Sequence, residues 1–188
     1  MAAKPEDYLK NEKWVKRIEG VFALQDTNKN GYLSKEEWFA VGKRLAEAVP
    51  DRPEELARYR EVVDEFSNEF GMTDGVKVDK EKYVQLAAVF AAKQMNAVMK
   101  GEESSVVKLD NAMFDMVDHN RDGTISWEEY KTVMGANYIS EEAARAGFDM
   151  LDKNKNGKIE RKEFTANTVK FWYSLEDQAD GLLGEQIA

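Results

Sequence analysis

Three stretches of twelve residues share one pattern: 26–37 (DTNKNGYLSKEE), 118–129 (DHNRDGTISWEE) and 152–163 (DKNKNGKIERKE). Each has an oxygen-bearing side chain at positions 1, 3 and 5, Gly at 6, an aliphatic at 8 and Glu at 12. A hard divalent cation such as calcium takes six to eight oxygens, and this spacing wraps them around one point. Gly at position 6 permits the sharp turn, position 7 gives its main-chain carbonyl, and Glu at position 12 can supply two oxygens. The candidate ligands are therefore Asp26, Asn28, Asn30, Tyr32 and Glu37; Asp118, Asn120, Asp122, Thr124 and Glu129; and Asp152, Asn154, Asn156, Lys158 and Glu163. Three ions are expected. By charge the Asp118 loop should bind tightest and the Asp26 loop weakest, with Glu160 reaching its ion through water and Ser34 a further helper in the Asp26 loop.

The repeat extends beyond the loops. Phe22, Phe114 and Phe148 stand four residues before the loop starts, and Trp38, Tyr130 and Phe164 follow the closing glutamates. Apolar residues recur at helical spacing over 11–24, 106–117 and 140–151 before the loops, and over 35–48, 127–135 and 161–173 after them. The expected unit is a helix-loop-helix EF-hand, with Leu33, Ile125 and Ile159 forming the short strands by which paired loops meet. The second and third intact loops start 34 residues apart, but the first stands alone, 92 residues before the second. Its partner is sought in 66–83 (FSNEFGMTDGVKVDKEKY). Aligning Tyr83 with the aromatics after the loops puts Gly71 at position 1, Val78 at 8 and Lys82 at 12. Taking Gly75 as position 6 puts Phe70 and Met72 at 1 and 3. Neither register supplies the oxygens, so this hand is structural and holds no calcium.

The expected fold is all-α: four EF-hand units in two pairs, an N-terminal pair over 1–100 and a C-terminal pair with a closing tail over 101–188. PDRP at 50–53 breaks the chain before a helix at 54–70, and GEESS at 101–105 links the halves, which should pack together given only 3 prolines in 188 residues. The net charge of −9 argues against a nucleic-acid surface and suits a cation binder. The longest apolar run, 86–92, is too short to span a bilayer. No cysteine is present, which removes thiol chemistry and leans toward a reducing compartment. The first ten residues lack a signal peptide's apolar run, and a cytoplasmic monomer is expected. The single histidine, His119, is at loop position 2, read as solvated rather than as a base. No nucleophile-and-base arrangement is recognisable, so an enzyme is not expected.

Three intact hands around a degenerate second one resemble the sarcoplasmic calcium-binding proteins, calexcitins and coelenterazine-binding calcium proteins, over nearly the whole chain. Trp14-Val15-Lys16-Arg17, Gly71-Met72 with Gly75, and Phe171 to Leu175 followed by Ala179 to Gly184 resemble the hydrozoan calcium-regulated photoproteins. That resemblance implies an interior site for a coelenterazine-type molecule, near Trp172 and Tyr173. It also implies histidines at positions that hold Ile18, Thr168 and, approximately, Tyr59 here. Leu183 and Ala188 replace the expected Tyr and Pro. The leading expectation is a non-luminescent calcium buffer or signal carrier. The alternative is a calcium-triggered luciferin carrier, with a photoprotein last. Residues such as Ile18, Phe66 and Phe90 either line a ligand cavity or fill a dry core.

Overall fold

The computed structural model describes residues 3–49 and 51–176. Among these, nine helices and four short strands alternate in the order the repeat demands. The first hand is α2 (Glu12–Gln25), β1 (Tyr32–Ser34) and α3 (Lys35–Ala48); the second is α4 (Pro53–Phe70), β2 (Lys77–Asp79) and α5 (Lys80–Met99). The third is α6 (Ser105–Val117), β3 (Thr124–Ser126) and α7 (Trp127–Ala136); the fourth is α8 (Glu141–Leu151), β4 (Lys158–Glu160) and α9 (Arg161–Tyr173). A short N-terminal helix, α1 (Pro5–Leu9), precedes them and packs on α5. Periodicity gave no sign of it, one and a half turns being too short for a pattern.

Helix boundaries follow local chemistry. Asn11, Ser104, Ser126 and Ser140 each accept an amide of the first turn that would otherwise be unpaired, at 2.8, 3.3, 3.3 and 3.2 Å. Pro53 opens α4, where a missing N–H costs nothing. Gly71 ends it in the left-handed region at φ +96°, open to a residue without Cβ. Gly42 on α3 lies against the Tyr59 ring of α4 so closely that any Cβ there would overlap it.

The hands pair as expected. Leu33 faces Val78 across β1 and β2, and Ile125 faces Ile159 across β3 and β4, all four buried. This register places Val78 at loop position 8 and selects the first alignment of the degenerate hand, with Gly71 at position 1 and Lys82 at 12. Both pairs share one core: α4 packs along α6, α3 touches α7, and α5 touches α9. Trp38, Phe66, Phe70, Tyr83 and Phe90 form a continuous aromatic cluster with centroid separations from 4.9 Å for Phe66 and Phe90 to 6.5 Å for Trp38 and Tyr83. Rings at such spacing and tilt gain electrostatic as well as hydrophobic stabilisation. No helix among the described residues is long and apolar enough to cross a membrane.

Candidate calcium loops

The three intact loops share one set of hydrogen bonds at positions 1, 3 and 5. At position 1, the Asp26 carboxylate accepts the amides of Asn30 and Gly31 at 3.1 and 2.9 Å. Asp118 accepts those of Asp122 and Gly123 at 3.1 and 2.9 Å, and Asp152 those of Asn156 and Gly157 at 3.0 and 2.8 Å. At position 3, the Asn28, Asn120 and Asn154 carbonyls accept the amide two residues on, at 2.9, 2.8 and 3.0 Å. At position 5, Asn30, Asp122 and Asn156 do the same at 2.8, 2.9 and 2.9 Å. Each amide takes one direction at its oxygen, so the short side chains are fixed by the backbone turn they enclose.

Backbone dihedrals repeat as strictly. Position 4 is Lys29, Arg121 or Lys155, left-handed at φ 55, 58 and 56°, and the glycine at position 6 has φ 79, 82 and 82°. At position 12, Glu37, Glu129 and Glu163 fold back to accept the amides of Ser34, Ser126 and Glu160 at 3.0, 2.8 and 2.9 Å. Their other oxygens reach the start of the loop. Glu37 accepts from Asn28 Nδ2 at 2.9 Å and Glu163 from the Asn154 amide at 3.1 Å. Glu129 accepts from the His119 amide at 3.2 Å, and lies 2.9 Å from His119 Nδ1. His119 thus touches the closing glutamate while remaining half exposed, a contact that its position in the loop had not suggested.

Charge differs among the loops. Burial, then Asp26, pushes the Glu37 carboxyl above its usual range. Hydrogen bonds from Thr124 and then the Lys158 ammonium hold Asp122 down to about 2. Lys158 Nζ reaches Asp122 at 3.2 Å, so this cation crosses from the fourth loop to the third. Glu160 accepts from Asn154 and Asn156 Nδ2 at 3.2 and 3.3 Å and so faces the interior of its loop. Among the described residues no three His, Cys, Asp or Glu groups gather into a cluster; the donors in each loop are carboxylate, amide and main-chain oxygens together, a set suited to a hard ion.

The second hand lacks this construction. Gly75 keeps the turn at φ +76°, but Met72 is buried with 0% exposure and Gly71 offers no side chain. This family of loops is recognised from the chain itself: residues 15–135 match the EF-hand domain pair and residues 144–166 match the EF hand. The chain belongs to the EF-hand family. Over 189 residues it is 28% identical to clytin from Clytia gregaria, covering 99% of this chain and 96% of clytin. It is 29% identical over 157 residues to luciferin-binding protein from Renilla reniformis, covering 82% and 83%. Its fold superposes on the apoaequorin complex with (S)-HM-daCTZ at a TM-score of 0.83, with 26% identity and 95% and 93% covered.

The other predicted site residues lie inside this EF-hand body. Trp172 is half buried, its ring 6.5 Å from Phe66 and 6.0 Å from Phe171. Tyr173 is buried, with its hydroxyl 3.1 Å from Ser104 Oγ, and burial raises its pKa. The backbone of residues 172–175 is held from α1 and α2: Tyr8 Oη, Trp14 Nε1, Arg17 Nη2 and the N-cap Asn11 Nδ2 donate to the carbonyls of Tyr173, Trp172, Ser174 and Leu175 at 3.2, 3.0, 3.1 and 2.9 Å. The tail from Ala179 to Gly184, with Leu183 and Ala188, lies outside the described residues. Ile18, Tyr59 and Thr168 are all buried, Tyr59 donating to the Trp38 carbonyl at 3.3 Å and Thr168 to that of Phe164 at 3.2 Å.

Sequence reasoning missed three buried polar groups. Lys35 carries its ammonium to Asp64 and Asp74, Arg52 reaches across to α6, and Asp110 sits on α6 beside Thr168. Burial raises the Asp110 pKa well above the usual carboxyl range, and its Oδ2 has no partner. An apolar stripe marks a helix face as buried; it does not mark the polar residue that shares it.

Proposed function

We propose that this protein binds calcium reversibly at three sites, the loops starting at Asp26, Asp118 and Asp152, and catalyses no covalent step. The observation that carries this reading is the threefold repetition of the position-1 carboxylate cradled by two amides, with a glutamate folded back from position 12. On binding, the side chains at positions 1, 3 and 5, the carbonyls of Tyr32, Thr124 and Lys158, and the closing glutamates would supply the oxygens. The ion supplies charge and coordination only. Three occupied sites bring the net charge from −9 to about −3, relieving self-repulsion. The Asp118 loop, with three carboxylates, binds tightest. The role is that of a cytoplasmic, monomeric buffer or signal carrier that emits no light, Ile18, Thr168 and Tyr59 standing where the photoprotein resemblance implies histidines.

Calorimetric titration checks the metal reading: three sites in the wild type and two in Glu129→Gln. Four sites, or three in that variant, would refute the loop assignment. A second reading is favoured by the likeness to luciferin-binding protein and apoaequorin. In it the interior beside Trp172 and Tyr173 holds a coelenterazine-type molecule that calcium releases. Mixing calcium-free protein with coelenterazine, then adding calcium, separates the outcomes: binding then release supports the carrier, light the photoprotein, and no binding the calcium protein alone.

A further inference from the structure

The Asp118 loop has a support from the other half of the molecule that the other two loops lack. Arg52, just before Pro53 at the start of α4, is only 7% exposed. Its Nη1 donates to the main-chain carbonyl of Asp118 at 3.0 Å and its Nη2 to that of Asp115 at 2.5 Å. Nη2 also lies 3.0 Å from Glu55 Oε1, and the same oxygen receives Arg121 Nη2, from loop position 4, at 2.7 Å. All three position-1 carbonyls accept the local amide three residues on, from Lys29, Arg121 and Lys155 at 3.2, 3.4 and 3.3 Å, and only that of Asp118 accepts a guanidinium as well among the described residues. Among the described residues, then, one loop of three has its first residue gripped by a guanidinium from outside the hand.

We propose that Arg52, supplied by the N-terminal pair, is a positioning residue for the calcium site at Asp118. The last carbonyls of a helix have no partner within it, and here the fork satisfies two of them at the place where α6 becomes the loop. A desolvated guanidinium bonds more strongly than a wet one. Arg58 and Arg161 also reach Asp115, at 3.1 and 2.6 Å, but their side chains are 61% and 40% exposed and their ion pairs are screened. Fixing the entry to the loop before the ion arrives reduces the ordering that binding must otherwise impose. Glu55, shared with Arg121, offsets part of the charge of Arg52 and reduces its electrostatic opposition to the ion. The proposal rests on the reading of this loop as a calcium site.

The test isolates single sites. In the Glu37→Gln, Glu163→Gln background only the Asp118 site remains, and in the Glu129→Gln, Glu163→Gln background only the Asp26 site. Arg52→Met should weaken calcium about tenfold in the first and leave the second within about twofold. Arg52→Lys keeps the charge and stem but not the fork, and should fail to restore affinity in the first background. Circular dichroism shows whether each variant is folded, and the lysine variant serves if the methionine variant is not. Unchanged affinity at Asp118, rescue by lysine, or an equal loss at both sites would overturn the positioning role. No calcium binding in the Glu37→Gln, Glu163→Gln chain with Arg52 intact would overturn the reading of the loop itself, and the proposal with it.

Discussion

In the N-terminal pair Leu33 faces Val78, and in the C-terminal pair Ile125 faces Ile159, in the same antiparallel register. The C-terminal pair brings two acid-bearing loops together. The N-terminal pair brings one such loop to a partner with Gly71 at position 1 and Lys82 at position 12. Its charges are met by a residue of the chain: Lys35 lies 4% exposed, its ammonium against Asp74 of the degenerate loop and Asp64 of α4. The contrast separates two things that EF-hands usually combine. Pairing is maintained by buried aliphatics and ladder hydrogen bonds, and coordination is an addition to it. A hand can therefore depart from the ligand pattern and keep its place.

If pairing is apolar in both halves, Leu33→Ala and Ile159→Ala should each cost about 2–5 kcal/mol in metal-free protein, as truncation of a fully buried aliphatic does. Denaturant unfolding in chelator measures this, and a loss under about 1 kcal/mol in either variant would break the symmetry between the pairs.

Asp110 gives the C-terminal pair a buried carboxyl held well above its usual range, with Oδ2 unpartnered. Its folded carboxyl keeps its proton at pH values where the unfolded chain has lost it. Stability should therefore fall as pH rises from 3.8 through the raised folded value. Asp110→Asn should remove that slope and be more stable at pH 8 by about 1–3 kcal/mol. Parallel pH profiles of wild type and variant would refute the burial argument.

Lys35 also makes stability fall with rising pH, but by losing a favourable charge rather than by exposing an unfavourable one. Asp64 and then Asp74 raise its pKa, so its stabilisation is complete below the ordinary 10.5 and is lost as pH rises through the higher folded value. Lys35→Met should lower stability at neutral pH and lose less than wild type on titration into the alkaline range. The smallest expected change is from Lys82→Glu. Restoring the closing carboxylate alone should create no fourth site, because Gly71 and the buried Met72 still occupy the start of the loop. A fourth calorimetric site in that variant would mean that position 12 alone decides binding.

Much of this was legible along the chain because an EF-hand is a local device. Its ligands, its turn glycine and its strand residue fall within twelve positions, and its helices announce themselves by period. Val78, put at loop position 8 by one of the two alignments, lies opposite Leu33 as that alignment requires. Arg52 was legible only as part of a Pro-flanked break, since its partners Asp115 and Asp118 are more than sixty positions away. Lys35 reads as one more lysine in a charged loop, and its burial is decided by α4. His119 reads as solvated, and its Glu129 contact depends on how the loop closes. Local spacing carries chemistry when the donors are neighbours; it is silent when one half of the molecule completes the other.

The grip of Tyr8, Asn11, Trp14 and Arg17 on the carbonyls of residues 172–175 has a dynamic consequence. Helix ends normally open first, with little free-energy cost, and lead exchange and proteolysis. Here the end of α9 is sewn to α1 and the start of α2, so peeling it away means breaking bonds formed across more than 150 residues of sequence. The slowest-exchanging amides should include this seam, and local opening should begin at the loops instead.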